Sequence, residues 1–130
     1  MRKYTGTKGF IIFSVFRTEN DPLVNIKHHS NVCRNLELRR LKYKVVVGVY
    51  FDNEESSILI NAENEVLVDT LCRIHNQESY LYVDENRHSY LKYTLSYGTK
   101  EVYLGRWHET TKALAGDCYT ITRDRYYKAS

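Results

Sequence analysis

Five polar side chains sit where apolar segments of this chain begin or end: Ser14, Arg17, Glu55, Ser56 and Gln77. Ser14 and Arg17 lie at the exit of an apolar run. Glu55 and Ser56 open the run that ends at Ile60. Gln77, with Glu78 and Ser79, bridges a helical pattern into the strand that follows. Strand ends converge in a compact sheet. An arginine, a carboxylate, an amide and hydroxyls brought together suit a small polar ligand, with the guanidinium reading phosphate or carboxylate through paired N–H donors. The competing reading is structural: Arg17 pairs with Glu55 or Glu78, and the remaining groups cap backbone atoms.

A second constellation is basic. Arg34, Arg39, Arg40, Lys42 and Lys44 cluster near the expected end of a helix. Cations there complement the helix dipole; alternatively, with nearby tyrosines, they form a phosphate-binding patch for nucleic acid whose affinity falls steeply with salt. His28 and His29 are adjacent and point apart on a helix, so they do not chelate one ion. His75, His88 and His108 fall in loops or at element ends. Cys33, Cys72 and Cys118 form no CxxC pair and read as free buried thiols. No zinc-ligand spacing, glycine-rich phosphate loop, nucleophile elbow or HExxH is present. No metal and no cofactor are therefore predicted.

The elements that must position these groups follow from hydrophobic period. Residues 10–16 read as a buried strand. Pro22 suits the first turn of a helix, with Asp21 as its N-cap, and the helix is expected over 23–41 on a face of Ile26, His29, Cys33, Leu36 and Arg40. Residues 45–51 and 57–60 read as strands joined by an acidic turn, Asp52-Asn53-Glu54-Glu55. The first of these is nearly all apolar and is expected to be central, covered on both faces. A second helix starts near Ala62, capped by Asn61, with Leu67, Leu71 and Ile74 as its stripe. Strands follow at 78–84, 90–97, 101–107 and 118–122. Runs of neighbouring strands predict an α+β fold, a single mostly antiparallel or mixed sheet of five to seven strands with two helices packed on it.

The chain has 130 residues, 42% of them hydrophobic and 27% charged, which reads as one soluble α+β domain over 1–130 with residues 1–8 frayed. No apolar run approaches the roughly 20 residues of a membrane span, so no membrane partner and a cytoplasmic location are expected. A net charge of +3 permits nucleic acid or an acidic protein as partner without requiring either. Twelve tyrosines exceed what a small sheet buries, and this predicts an interface, with Tyr97, Tyr103 and Trp107 in a homodimer contact.

Short segments of the chain also resemble a family. They are Ile12-Phe13-Ser14-Val15-Phe16-Arg17, Gly48-Val49-Tyr50, Glu55-Ser56-Ser57-Ile58-Leu59-Ile60, Asn76-Gln77-Glu78-Ser79, Leu104-Gly105-Arg106-Trp107 and Tyr119-Thr120. Together they resemble a small domain-of-unknown-function family found in bacteria and common among tailed phages, with Ser57 standing where an aromatic residue is expected. The resemblance implies a phage or bacterial source and assigns no activity. With no catalytic motif present, the leading expectation is a phage accessory protein acting in the host cytoplasm. It would inhibit a host defence or metabolic protein by binding it or by sequestering a nucleotide signal. The alternatives are a nucleic-acid-binding protein and a nucleotide-processing enzyme working through Arg17, Glu55 and Gln77.

Overall fold

The first apolar run, Phe10–Phe13, is hydrogen-bonded along both of its edges, and this closes the sheet. The computed structural model describes residues 9–94 and 100–130; the expectation of a frayed 1–8 lies outside the described residues. The elements are β1 (Phe10–Phe13), α1 (Pro22–Leu38), β2 (Tyr43–Tyr50), β3 (Asn53–Asn61), α2 (Glu65–Ile74), β4 (Ser79–Val83), β5 (His88–Tyr93), β6 (Glu101–Thr110), β7 (Cys118–Thr122) and β8 (Arg125–Ala129). A 3-10 turn at Ala62–Asn64 leads into α2. In space the strands run β1-β3-β2-β7-β8-β6-β5-β4, and β4 returns to β1 to close a barrel. Ile11, for example, lies opposite Ile60 on one side and Tyr82 on the other. The pairings are antiparallel throughout.

The expected α+β fold, an open sheet of five to seven strands, is thus corrected to a closed eight-stranded antiparallel barrel with two short helices. Individual strands can be read from local pattern, but closure depends on long-range pairings, β1 with β4 and β2 with β7 among them. An open sheet would leave a buried edge of unpaired N–H and C=O groups at β1, which closure removes.

Two apolar clusters result. Phe10, Ile12, Val46, Leu59, Val83 and Trp107 fill one end of the lumen, with Leu81, Tyr127 and Ala129 against them. Ile11, Phe13, Ile58 and Ile60 face the other way and pack under Val32 and Leu36 of α1 and Val68, Leu71 and Cys72 of α2. The strand covered on both faces is therefore β1, in which all four residues are buried. The expectation that placed 45–51 in that role is corrected, since Val45 is 51% exposed on the barrel exterior.

The helices differ from expectation in their packed faces. Asp21 caps α1 by accepting from the Leu23 N–H at 2.8 Å. The face buried in α1 is Asn25, Val32 and Leu36, while Ile26 is exposed. Asn25 is spent on the chain leaving β1: its Oδ1 accepts from the Arg17 N–H at 3.0 Å and its Nδ2 donates to the Arg17 carbonyl at 2.8 Å. A polar residue thus holds a helix face that a hydrophobic period cannot reveal. In α2 the buried set is Val68, Leu71 and Cys72, and Ile74 lies in solvent. No helix among the described residues is long and apolar enough to cross a membrane.

Closure at the β1–β4 seam needs Gly9. Its φ is +79°, and a Cβ there would sit 2.4 Å from the Val83 carbonyl oxygen. Both the left-handed backbone and the backbone clash penalise a side chain. Gly9→Ala is expected to lower stability by about 2 kcal/mol or more, read as a lower urea midpoint. An unchanged midpoint would show that the seam does not need the glycine.

Candidate functional site

The turn between β2 and β3 decides which way Glu55 points. Phe51 and Asp52 both have positive φ, 48° and 69°. The turn is therefore two residues long, and the ladder begins at Tyr50 opposite Asn53. The four-residue acidic turn expected from sequence is corrected: Glu54 and Glu55 belong to β3. With that register Glu55 lies opposite Gly48. Side chains alternate along a strand, and Leu59 packs in the lumen while Ile58 and Ile60 pack under the helices. Glu55 and Ser57 share the parity of Leu59 and face inward, whereas Ser56 shares that of Ile58 and faces outward.

The inward side chains enclose a cavity of about 530 Å³ at one end of the barrel. All eight strands contribute to its wall. Its polar wall carries Ser14, Glu55, Ser57, Gln77 and Ser79, while Ile12, Leu81, Leu91 and Trp107 give it an apolar floor. Tyr50 and Cys118 line it and are exposed, which places them at the mouth. Gly48 leaves room beside the carboxylate, since a Cβ there would lie 3.0 Å from Ser57 Oγ and 3.9 Å from Glu55 Cγ.

Three of the five residues singled out in the sequence therefore meet at the cavity: Ser14, Glu55 and Gln77. Ser14 Oγ donates to the Ser56 carbonyl at 3.0 Å and accepts from the Phe16 N–H at 3.1 Å. Gln77 Nε2 donates to the Phe16 carbonyl at 2.6 Å. These bonds tie the end of β1 to the start of β3 and to the loop before β4. The other two residues stand apart. Ser56 contributes its carbonyl from the far face. Arg17 lies outside the cavity wall, paired with Glu19 and donating to the Asn76 carbonyl. Residues the sequence reading passed over also line the chamber, notably Tyr50, Ser57, Cys118 and Tyr119. Ser57 follows from Glu55 by period two once the turn length is known. The β7 residues had no local signal, because a long-range pairing brings that strand beside β2.

Burial pushes the Glu55 carboxyl above its ordinary range, and the Ser14 hydroxyl opposes this by favouring the charged form. Burial likewise raises the Cys118 thiol, with the charge of Asp117 adding to it. Neutral pH thus leaves Cys118 largely protonated and a weak nucleophile. Cys118 is exposed, which corrects its reading as a buried thiol.

Four of the five basic residues are exposed, and Lys44 is not. Arg39 Nε donates to Asn35 Oδ1 at 2.7 Å as α1 ends. Arg34, Arg40 and Lys42 are exposed. Lys44 lies opposite Leu59, so its side chain enters the lumen, where its Nζ is buried without an acceptor among the described residues. Of the three expected interface aromatics, Tyr103 is 53% exposed and meets His88 Nδ1 at 3.0 Å. Trp107 is corrected to an interior residue at 5% exposure, stacked on Tyr127. Tyr97 lies outside the described residues.

A family model for the S-adenosylmethionine lyase family matches residues 11–130. No curated protein matches the chain. The match overturns the leading expectation of an inhibitor of host defence or metabolism, and the nucleic-acid-binding alternative with it. The nucleotide-processing alternative agrees with the match.

Glu55 gives this site a pH signature. Its carboxyl holds a proton more tightly in the folded chain than at the ordinary value of 4.5. The folded state then binds more protons than the unfolded one as pH rises from about 4.5 through the raised folded value, so stability falls across that window and the deficit is complete above it. Glu55→Gln removes the deficit. Urea midpoints should show the variant gaining on the wild type as pH rises through the window, then holding a constant lead. A difference independent of pH would refute the assignment.

Proposed function

The chain belongs to the S-adenosylmethionine lyase family, and on that premise we propose that it cleaves S-adenosylmethionine in the barrel cavity without using water. The observation that carries the reading is Glu55, a carboxylate held in a mostly apolar, aromatic chamber. A chamber that disfavours an unpaired anion favours a cationic guest, and the substrate carries both a sulfonium and an ammonium. The volume of about 530 Å³ falls in the ordinary range for small-molecule sites.

The chemistry needs no nucleophile from the protein. The carboxylate of the substrate reaches its own Cγ through a five-membered ring. As the C–O bond forms, the Cγ–S bond breaks and its electron pair leaves on sulfur. The products are a neutral thioether, methylthioadenosine, and a lactone, and no proton moves. The protein's part is to fold the substrate so that carboxylate and Cγ meet, and to exclude water. Glu55 is assigned to the substrate's ammonium, which steers the adjoining carboxylate. The Gln77 amide nitrogen is spent on the Phe16 carbonyl, leaving its oxygen as an acceptor toward the same cation. The protonated Cys118 thiol argues against a covalent thiolate route.

The same proposal includes a phage or bacterial source, supported by the resemblance of the short segments, and action in the cytoplasm, where the substrate is made. A homodimer is proposed through the exposed Val102, Tyr103 and Leu104 of β6. Light scattering at high micromolar concentration should give twice the chain mass, and a monomer mass would remove this part.

The reaction itself is tested in ¹⁸O-labelled water. Methylthioadenosine should accumulate, and the homoserine formed as the lactone opens should carry no label in its hydroxyl group, because that oxygen comes from the substrate's carboxylate. Label in the hydroxyl would mean that water attacked Cγ, and the lyase reading would fall. Glu55→Gln should reduce kcat/KM by at least tenfold, the loss of one charge-assisted contact.

A further inference from the structure

Two histidines that the sequence places 47 positions apart face each other across the helices. The ring centres of His28 on α1 and His75, the cap residue of α2, are 5.1 Å apart with planes inclined at 55°. Both are half-buried, and among the described residues neither ring has a hydrogen-bond partner. The site lies outside the barrel and takes no part in the proposed cleavage. His28 was set aside in the sequence because its neighbour His29 points elsewhere, and His29 is indeed engaged separately, with Cys33 Sγ at 3.6 Å.

The spacing of the pair has a chemical meaning. Two imidazoles bound to one tetrahedral ion, each through a nitrogen about 2.0 Å from it, place their ring centres about 5 Å apart. Imidazole nitrogen is a ligand of choice for zinc, copper and nickel, and of little use to calcium or magnesium. We propose that His28 and His75 form a two-histidine site for a divalent transition-metal ion, with water completing the coordination. No group of three or more ligand residues occurs among the described residues, so the site is an open, exchangeable one and not a structural centre of the zinc-finger kind.

An ion here would clasp α1 to the end of α2. That end is two residues before Gln77, whose side chain ties Phe16 to the cavity wall. The bound metal would therefore stiffen one wall of the chamber without entering it.

The test uses zinc chloride and the tag-free full chain. At one equivalent, the imidazole proton NMR signals of His28 and His75 should shift together while those of His88 and His108 stay in place. Zinc should raise the thermal midpoint. His28→Gln and His75→Gln should each weaken zinc affinity at least tenfold by calorimetry, and His108→Gln should not. Signals of His28 and His75 that do not move at one equivalent overturn the proposal, and this reading needs no variant to fold. Equal affinity in His75→Gln and wild type also overturns it. Neither outcome bears on the cleavage of S-adenosylmethionine.

Discussion

Everything in this fold depends on a four-residue strand with no solvent on either side. β1 is hydrogen-bonded to β3 and to β4, and its side chains alternate between the lumen and the helices. Burying a side chain such as Phe or Ile contributes about 1.5–3 kcal/mol, and all four residues of β1 are buried. A barrel could close elsewhere, but here β1 is also the septum between the two apolar clusters. The helices have an apolar sheet face to cover because β1 presents one, and the lumen has a floor because β1 presents the other. The seam follows from this, with Gly9 tight against Val83 where the strand enters.

The chamber is a consequence of the same closure. The chain past Phe13 leaves β1, and Ser14 turns its hydroxyl to the Ser56 carbonyl on β3. Gln77 then anchors the Phe16 carbonyl from the loop before β4. The two strands that flank β1 are thereby held apart at one end by polar contacts, while at the other end they are packed shut by Phe10, Leu59, Val83 and Trp107. A lumen filled at one end and open at the other offers a small ligand a place at its open end. Glu55 stands in it because the Phe51–Asp52 turn is two residues long and not four. One more residue in that turn would shift the register and send the carboxylate to the outer face.

The legibility of the chain divides along the same line. Strand positions, the Asp21 cap and the gathering of Ser14, Glu55 and Gln77 were readable, because each rests on local period or local backbone chemistry. Closure was not, since nothing in β1 or β4 marks them as partners. Trp107 looked like surface because aromatic excess was counted along the chain, whereas a barrel lumen absorbs large rings that an open sheet would expose. Arg17 looked like a ligand group, but its guanidinium is occupied by Glu19 and the Asn76 carbonyl. The burial of Asn25 had no hydrophobic signal at all, because a side chain that completes the backbone bonds of Arg17 is selected for geometry and not for apolarity.

The lack of a catalytic motif steered the sequence reading toward an inhibitor, which the family match overturned, and the cleavage proposed above supplies a physical reason for the missing motif. Motifs record chemistry that the protein must perform, such as activating a nucleophile, moving a proton or holding a phosphate. An internal displacement at a sulfonium asks for none of these. The substrate brings its nucleophile and its leaving group, and the rate gained by holding them in contact is the rate gained from orientation. What the protein must supply is a dry chamber of the right size, one anion to fix the cationic end, and walls stiff enough to keep the folded substrate folded. In the proposed cleavage those requirements fall on ordinary residue types: a serine, a glutamine, a half-buried glutamate and tyrosines of the cavity wall. Chemistry of this kind leaves its trace in the shape of the cavity and the direction one carboxylate points, and both are set by the turn and the seam.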